Sequence, residues 1–203
     1  MKEKYNINQT TLKILGLYRN NYKISLHVRA IARETNVDVK AIQLQLRRLE
    51  RANILSSALK GKNKEYRLNL SNFATKYYMA MAEAFFTITF LDKNFQIKKV
   101  INEINGKIDG IVLLFGSFAK GYATKESDID IFVITDKKFD KSAIEEAGDM
   151  IGRKISVKSS GKREFLDDLK NFDPLISEVA LAHITLKGMD DFCDIMWNYY
   201  ARH

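Results

Sequence analysis

The chain contains one cysteine, Cys193, and only three histidines among its 203 residues. A single cysteine cannot form an internal disulfide, and the scattered histidines lack the close spacing of a zinc site. Long apolar runs are also missing: residues 79–91 are interrupted by Glu83 and by threonines, whereas a membrane-spanning helix needs about 20 apolar residues. The N-terminal residues show no apolar signal-peptide core. These absences predict a cytoplasmic protein that does not contact a membrane.

Positive charge is concentrated in the first third of the chain. Residues 1–72 hold 15 Lys and Arg against 5 Asp and Glu, whereas residues 73–203 hold 18 against 20. A basic segment that also has periodic leucine and isoleucine is typical of a folded module that faces a polyanion. The alternative is a solvated basic surface without a partner.

A helix is predicted from Asp38 to Ala52, with Asp38 as its N-cap. Apolar residues recur at intervals of three and four, which is the spacing of a core-facing stripe. The predicted core-facing residues are Val39, Ile42, Leu46 and Leu49. Polar residues fall on the opposite side: Lys40, Gln43, Arg47, Arg48 and Arg51. Two short strands, residues 55–59 and 65–70, follow and are joined by a turn that carries Lys60, Lys62 and Lys64.

Residues 9–70 resemble the winged helix-turn-helix domains of bacterial and archaeal transcription regulators. The resemblance implies binding to double-stranded DNA, with the 38–52 helix in the major groove and the basic hairpin along phosphates. It places Lys40, Gln43 and Arg47 near base edges, with Arg48 beside them, and Lys60, Lys62 and Lys64 on the backbone. The alternative is a protein-interaction or dimerisation module that has kept this fold without an operator.

The segment that follows is rich in aromatic and methionine residues. Residues 73–94 are predicted to form a helical connector with a wide apolar face, and this face is the expected contact of a homodimer. A second helix is predicted over residues 95–105.

Two glycines, a serine and two aspartates interrupt a pair of apolar strands. The first strand runs into Gly116 and Ser117, where a sharp turn exposes backbone amides that suit a phosphate. Asp128 and Asp130 open the second strand, and side chains two apart share one face of a strand. Two converging carboxylates suit Mg²⁺, which takes one or two carboxylates and completes its shell with water and substrate phosphates.

The pattern of Gly116 and Ser117, ten residues, then Asp128 and Asp130 resembles the signature of minimal nucleotidyltransferases in the DNA polymerase β superfamily. The resemblance covers about residues 95–190. It implies that Gly116 and Ser117 hold the phosphates of a nucleoside triphosphate, expected to be ATP. It also implies that the two aspartates bind Mg²⁺ or Mn²⁺ as catalytic residues and that Lys120 contacts the triphosphate. Ser127 is expected in the same nucleotide-binding set, where it would orient Asp128 by a hydrogen bond.

One departure from this family pattern concerns catalysis. Active members place a third carboxylate on the strand after the next helix, predicted here over residues 154–157. Ser156 stands at that position, and no acidic residue occurs between Asp149 and Glu164. General-base assistance, worth about 10² to 10⁴ in rate, would then be missing or come from elsewhere.

The predicted fold class is α+β. A winged helix-turn-helix domain at residues 1–72 is followed by the connector at 73–94 and by a nucleotidyltransferase-type mixed sheet, flanked by helices, at 95–203. One functional hypothesis is a DNA-binding nucleotidyltransferase that modifies an acceptor, such as a HEPN-type toxin in a toxin–antitoxin pair. The other is a transcription regulator whose second domain is a catalytically degenerate nucleotide sensor or dimerisation module.

The basic first third predicts DNA binding that depends steeply on salt. If several phosphates are neutralised, affinity for duplex DNA should fall by orders of magnitude between about 50 and 200 mM salt. Fluorescence anisotropy with a labelled duplex measures this dependence. Binding by the 1–72 segment that is undetectable or independent of salt would favour the interaction-module alternative.

Overall fold

The computed structural model describes residues 7–202, and these form two compact units. One unit comprises the residues up to Phe85 together with those from Met196 onward, and the other runs from Phe86 to Ile195. Within the described range no helix is both long enough and apolar enough to span a bilayer. The domain limits expected at residues 72 and 94 stay a prediction.

The first unit contains a small helical cluster and an antiparallel sheet. Its elements are α1 (Gln9–Gly16), β1 (Leu26–His27), α2 (Val28–Thr35), α3 (Val39–Arg51), β2 (Leu55–Lys60) and β3 (Asn63–Leu68). The strands lie in the order β1-β3-β2, and both pairings are antiparallel. The predicted helix and hairpin are therefore present, and the identity of this part with a winged helix-turn-helix stays a prediction.

Helix α3 begins where its sequence predicts. The Asp38 carboxylate accepts hydrogen bonds from the backbone amides of Lys40 at 2.8 Å and Ala41 at 3.3 Å, so it caps the first turn. Three of the four predicted core residues are buried, but Val39 is 40% exposed. Gln45 is buried instead, and a hydrogen bond that its side-chain oxygen accepts from the Thr11 hydroxyl at 3.3 Å offsets the cost of burying this polar group.

The hairpin strands extend further toward the tip than predicted. Lys60 and Lys64 lie within the strands, and the turn between them contains Gly61 at a φ of 60°. The Lys64 ammonium is 3.0 Å from the Glu50 carboxylate, and Lys60 is 3.9 Å from Glu65. Two of the three wing lysines therefore have acidic neighbours.

A buried ion pair links the segment after α1 to the long helix α4 (Ala74–Lys93), whose residues up to Phe85 belong to this unit. The guanidinium of Arg19, just after α1, is 2.5 Å from the Glu83 carboxylate, and both side chains are almost fully buried. Removing one partner of such a pair leaves a buried charge uncompensated, which typically destabilises a protein by about 3 to 5 kcal/mol.

The second unit is a mixed sheet with helices. Its elements after α4 are α5 (Phe95–Ile104), β4 (Ile111–Phe115), α6 (Gly116–Lys120), β5 (Ile129–Ile134), α7 (Ser142–Asp149), β6 (Ile155–Ser160), α8 (Lys162–Lys170), α9 (Pro174–Leu181), β7 (Ile184–Lys187) and the first part of α10 (Met189–Arg202), which from Met196 onward belongs to the first unit. The strand order is β6-β5-β4-β7. Strands β5 and β6 are parallel, whereas β4 pairs antiparallel with β5 and β7. The predicted mixed sheet is confirmed.

The core of this unit lies between one face of the sheet and the helices α5 and α7. Every residue of β4 is buried, as its continuous apolar run predicts. Five of the six residues of β5 are also buried, and the exception is Asp130. Buried Ile97, Val100 and Ile104 of α5 and Ile144 of α7 belong to the same cluster as alternate residues of β4 and β5. The neighbours of Asp130 in β5, Ile129 and Ile131, are part of this cluster.

Candidate functional site

The turn after β4 lies directly against the Asp130 carboxylate. Phe115, the last residue of β4, pairs with Asp130 in β5, so Gly116 immediately follows this pairing. Gly116 is buried and has a φ of 69°, a conformation that side-chain-bearing residues rarely adopt. A Cβ atom at this position would overlap Oδ2 of Asp130. Because glycine has no side chain, the Gly116 backbone can lie directly against the Asp130 carboxylate.

The two aspartates flank Ile129, the first residue of β5. Asp130 is half-buried between the fully buried Ile129 and Ile131, and Asp128 immediately precedes the strand. Asp128 lies 3.4 Å from the ammonium of Lys154, which precedes the parallel strand β6. No ion pair to Asp130 is found within residues 7–202.

The surroundings of Asp130 disfavour its ionised form. Partial burial is the largest cause that raises the pKa of this carboxyl group above its ordinary value. The negative charges of Asp128 and Glu178 raise the same pKa further. The site thus holds a carboxylate that lacks a compensating cation.

Helix α9 brings Glu178 to the site, and the sequence analysis did not identify this residue. The Lys120 ammonium at the end of α6 donates a hydrogen bond to the Glu178 carboxylate at 2.6 Å. This bond is the main cause that raises the pKa of Lys120. An acidic residue inside the apolar segment "PLISEVAL" was the available signal, but its spacing from Asp130 reveals no contact.

Arg153 also escaped the sequence analysis. Its guanidinium donates hydrogen bonds to the backbone carbonyls of Thr124 at 3.0 Å and Ser127 at 3.1 Å, and it lies 5.7 Å from the centre of the Phe118 ring. The Ser127 hydroxyl accepts a hydrogen bond from the Thr124 amide at 2.8 Å. These contacts fix the loop that leads into Asp128.

Ser156 occupies the sheet position directly beside Asp130. The parallel register of β5 and β6 pairs these two residues, so a carboxylate at 156 would lie next to Asp130. Strand β6 contains no acidic residue. Among the described residues, no group of three or more His, Cys, Asp or Glu side chains is arranged to hold a metal ion.

The residues present fit a magnesium ion that arrives with a substrate. Two adjacent hard oxygen donors, Asp128 and Asp130, match the one or two carboxylates that Mg²⁺ takes when phosphates and water complete its shell. The uncompensated charge at Asp130 favours a cation at the same place. A site built entirely from protein ligands is not expected from this donor set.

A cleft of about 660 Å³ lies beside this cluster. Lys120, Lys125 and Arg153 give it a basic lining, and Phe90 and Phe118 contribute aromatic rings. Neither Asp128 nor Asp130 lines the cleft. It therefore borders the loop and α6, and it is not itself the carboxylate site.

The residues predicted to contact DNA lie on the first unit. Lys40, Gln43 and Arg47 are exposed on α3, and Arg48 is partly buried. Exposed Val39 and Leu44 lie on the same helix. The wing residues Lys60, Lys62 and Lys64 are all exposed.

Replacing Asp130 with asparagine should stabilise the metal-free protein at neutral pH. Because the folded-state pKa is raised, the folded protein binds this proton more tightly than the unfolded chain does. The stability that the raised pKa of Asp130 contributes is therefore fully present below the unfolded pKa of about 4, and it is lost as pH rises through the folded pKa. Asp130→Asn should have the higher free energy of unfolding at pH 7 in EDTA, and the difference should vanish near pH 3.5. Urea unfolding at pH 7 and pH 3.5 measures the free energy of unfolding of each protein.

The control is Glu146→Gln, which neutralises an exposed carboxylate on α7. An Asp130→Asn variant that is less stable than the wild type at pH 7 would contradict the prediction.

Adding a methyl group at Gly116 should disrupt the site, while the same change at Gly121 should not. Both glycines have positive φ, so alanine at either position should destabilise the fold by about 1 to 2 kcal/mol. Only at Gly116 would the new Cβ meet the Asp130 carboxylate, since nothing lies within 4 Å of a Cβ at Gly121. We expect Gly116→Ala alone to weaken Mn²⁺ binding, measured by electron paramagnetic resonance with a non-hydrolysable ATP analogue. Equal Mn²⁺ affinities in the two variants would show that the close approach is unimportant.

Comparisons with known proteins agree with the geometry of the second unit. Residues 96–195 match the family model described as a nucleotidyltransferase domain. A curated protein of Methanocaldococcus jannaschii named "Putative protein adenylyltransferase" is 45% identical over 47 residues, which are 22% of this chain and 47% of the relative. The match thus spans about half the length of that relative.

A more distant likeness is to a chain in a solved structure described as "Crystal structure of the toxin-antitoxin with AMP-PNP". It is 18% identical with a TM-score of 0.34, and the match covers 52% of this chain and 86% of that one. This likeness carries no argument about function. The family match, the buried strand that leads into Gly116 and the paired aspartates lead to one conclusion: residues 96–195 of this chain are a nucleotidyltransferase domain.

Proposed function

We propose that this protein transfers a nucleotide from a nucleoside triphosphate, with ATP as the donor, to a hydroxyl group of a protein acceptor. The observation that carries the proposal is the pairing of Phe115 with Asp130. This register joins the end of β4, where the turn can hold phosphate, to the carboxylates of β5, which can hold a cation. A triphosphate and its metal ion need both features side by side.

Each residue at the junction has a distinct role in the proposed reaction. The backbone of Gly116 and the Ser117 hydroxyl hold the terminal phosphates, and Lys120 adds a positive charge to the triphosphate. Asp128 and Asp130 would hold Mg²⁺ or Mn²⁺. When bound, that ion neutralises charge on the phosphates during the transfer. The Ser127 hydroxyl accepts a hydrogen bond from the Thr124 amide, and this bond helps to position the loop that leads into Asp128.

The proposed reaction balances without any further reactant. An oxygen of the acceptor hydroxyl forms a bond to the α-phosphorus, and the bond from that phosphorus to the bridging oxygen of the β-phosphate breaks. Pyrophosphate leaves, and the proton of the hydroxyl passes to a base or to solvent. Positioning and charge stabilisation account for most of the catalysis in such transfers.

A protein acceptor is supported by the curated relative, whose name describes it as a protein adenylyltransferase. The match covers only 22% of this chain, so the acceptor is part of the proposal. A HEPN-type toxin is the acceptor class that the sequence resemblance suggests. The acceptor group would be a tyrosine hydroxyl on that partner.

A second candidate function is a DNA-binding regulator with a nucleotide sensor. The observation that favours it is Ser156, which pairs with Asp130 where active relatives are expected to carry a carboxylate. Exposed Lys40, Gln43 and Arg47 on α3 and the basic wing support DNA binding by the first unit. In this alternative the protein acts as a homodimer, Mg²⁺ and ATP bind, and no transfer follows.

Radiolabelled ATP tests the transfer directly. The protein is incubated with Mg²⁺, candidate acceptor proteins and ATP labelled at the α-phosphate, and labelled protein is detected after electrophoresis. We expect label on an acceptor with the wild-type protein and only background with Asp128→Ala/Asp130→Ala, because the variant lacks both metal-binding carboxylates. ATP labelled at the γ-phosphate should give no labelled protein, since that phosphate leaves in pyrophosphate.

Two controls separate the candidate functions. Glu146→Gln should transfer label like the wild type, because its carboxylate lies on α7 and is exposed. Mg²⁺-dependent ATP binding without transfer to any acceptor would favour the sensor. A wild-type protein that binds no ATP in the presence of Mg²⁺ would contradict both functions.

A further inference from the structure

The cleft of about 660 Å³ in the second unit is positively charged. Lys120, Lys125 and Arg153 line it, and among residues 7–202 no acidic side chain does so. Its volume lies within the range of about 300 to 1,000 Å³ that is typical of ligand sites. A cleft that combines three basic side chains with no carboxylate favours an anionic ligand.

Arg153 is held in this cleft with part of its guanidinium free. Its Nη1 donates hydrogen bonds to the carbonyls of Thr124 and Ser127, and the guanidinium lies 5.7 Å from the centre of the Phe118 ring. Both acceptors are neutral, so they do not compensate the charge. Within the described residues neither Nε nor Nη2 makes a hydrogen bond, no carboxylate pairs with Arg153, and both nitrogens are accessible to solvent. This edge of a guanidinium binds a carboxylate through two parallel hydrogen bonds.

Lys125 adds a second uncompensated charge at the same loop. Its side chain is exposed, and no acidic partner for its ammonium is found in the part of the chain that the structure describes. It follows Thr124, whose carbonyl Arg153 binds. Lys120 differs, because its ammonium donates a hydrogen bond to Glu178 at 2.6 Å. The charge that is free to meet a ligand therefore comes from Arg153 and Lys125.

The other lining residues suit a polypeptide. Phe90 and Phe118 pack against the apolar core cluster of this unit, so their rings form a fixed apolar surface. Asn94 and Gln96 carry side-chain amides, which can both donate to and accept from peptide groups. A small anion such as phosphate needs neither the rings nor the amides, whereas an acidic polypeptide can use all of these groups.

The cleft is distinct from the proposed triphosphate position and adjoins it. Gly116 and Ser117 do not line the cleft, whereas Lys120, at the other end of the five-residue helix α6, does. Such a helix is about 6 to 8 Å long. An extended peptide covers about 3.3 Å per residue, so a few residues of one chain can bridge the cleft and the transfer site.

We propose that this cleft binds an acidic segment of the acceptor protein, close in sequence to the hydroxyl that receives the nucleotide. This inference rests on the proposed function and adds the chemistry that selects the acceptor. The Nε and Nη2 atoms of Arg153 bind one carboxylate of the segment, and Lys125 attracts another. An acceptor held in this way presents its hydroxyl beside the triphosphate, which lowers the entropic cost of the transfer.

Two synthetic peptides test the cleft without any transfer. Both are labelled with fluorescein; one has a tyrosine flanked on each side by three glutamates, and the other has glutamines in place of the glutamates. Fluorescence anisotropy measures their binding to the full chain in the presence of Mg²⁺ and a non-hydrolysable ATP analogue. We expect the acidic peptide to bind more tightly than the neutral one, and its affinity to fall as salt is added, because the charges involved are exposed.

Substitutions locate that binding. Lys125→Glu should weaken binding of the acidic peptide at least about threefold, because an attraction becomes a repulsion. The matched control is Lys138→Glu, which makes the same change at an exposed lysine outside the cleft and should leave the affinity unchanged. Arg153→Lys keeps the charge but loses the paired hydrogen bonds, and we expect a loss of about 10-fold. Lys125→Glu leaves the Arg153 bonds to the loop in place, so it tests the cleft even if Arg153→Lys disturbs that loop.

Three results would overturn the inference. The first is equal affinity for the two peptides, and the second is an equal effect of Lys125→Glu and Lys138→Glu. The third is a single-stranded RNA that binds more tightly than the acidic peptide and loses affinity in Lys125→Glu, since this would assign the cleft to nucleic acid.

The outcomes also separate this inference from the proposed function. Binding of the acidic peptide that depends on Lys125 supports the cleft as a site for an acidic segment. If no acceptor is then labelled from ATP, that result counts against the proposed transfer alone. Equal labelling of an acceptor by the wild type and Lys125→Glu would keep the proposed transfer and overturn the role of the cleft.

Discussion

The pairing of Phe115 with Asp130 is the constraint on which the candidate site depends. Strand β4 is buried along its whole length, so a shift by one residue would exchange the side chains that pack on the two covered faces of the sheet. This register places the positive-φ turn at Gly116 against the carboxylate, and the turn can approach because Gly116 has no side chain. The geometry of the site is thus a consequence of hydrophobic burial in the sheet.

The same sheet keeps an unfavourable charge in place. Ionised Asp130 is partly buried beside two other carboxylates, and a sequence selected only for stability would avoid this arrangement. An uncompensated charge of this kind is expected where a protein binds a ligand, because a ligand of opposite charge would offset it.

Much of this architecture could be predicted from the sequence, since its signals are local. The continuous apolar run of β4, the cap at Asp38 and the two aspartates that begin β5 each lie within a few residues of the feature they specify. Val39 was predicted wrongly because helical spacing alone cannot say which side of the apolar stripe a neighbouring element covers. Glu178 and Arg153 were missed for another reason: their partners lie 58 and 26 to 29 residues away, and only the folded chain brings them together.

Arg153 ties the loop before Asp128 to a later part of the chain. Its guanidinium holds two carbonyls of that loop, and its backbone lies between α7 and β6. Without Arg153 those carbonyls would be bonded to water, and the loop would keep only its internal hydrogen bonds between Thr124 and Ser127. Both aspartates precede Arg153 in the sequence, so the loop that leads to them is held in part by a residue that is synthesised after them.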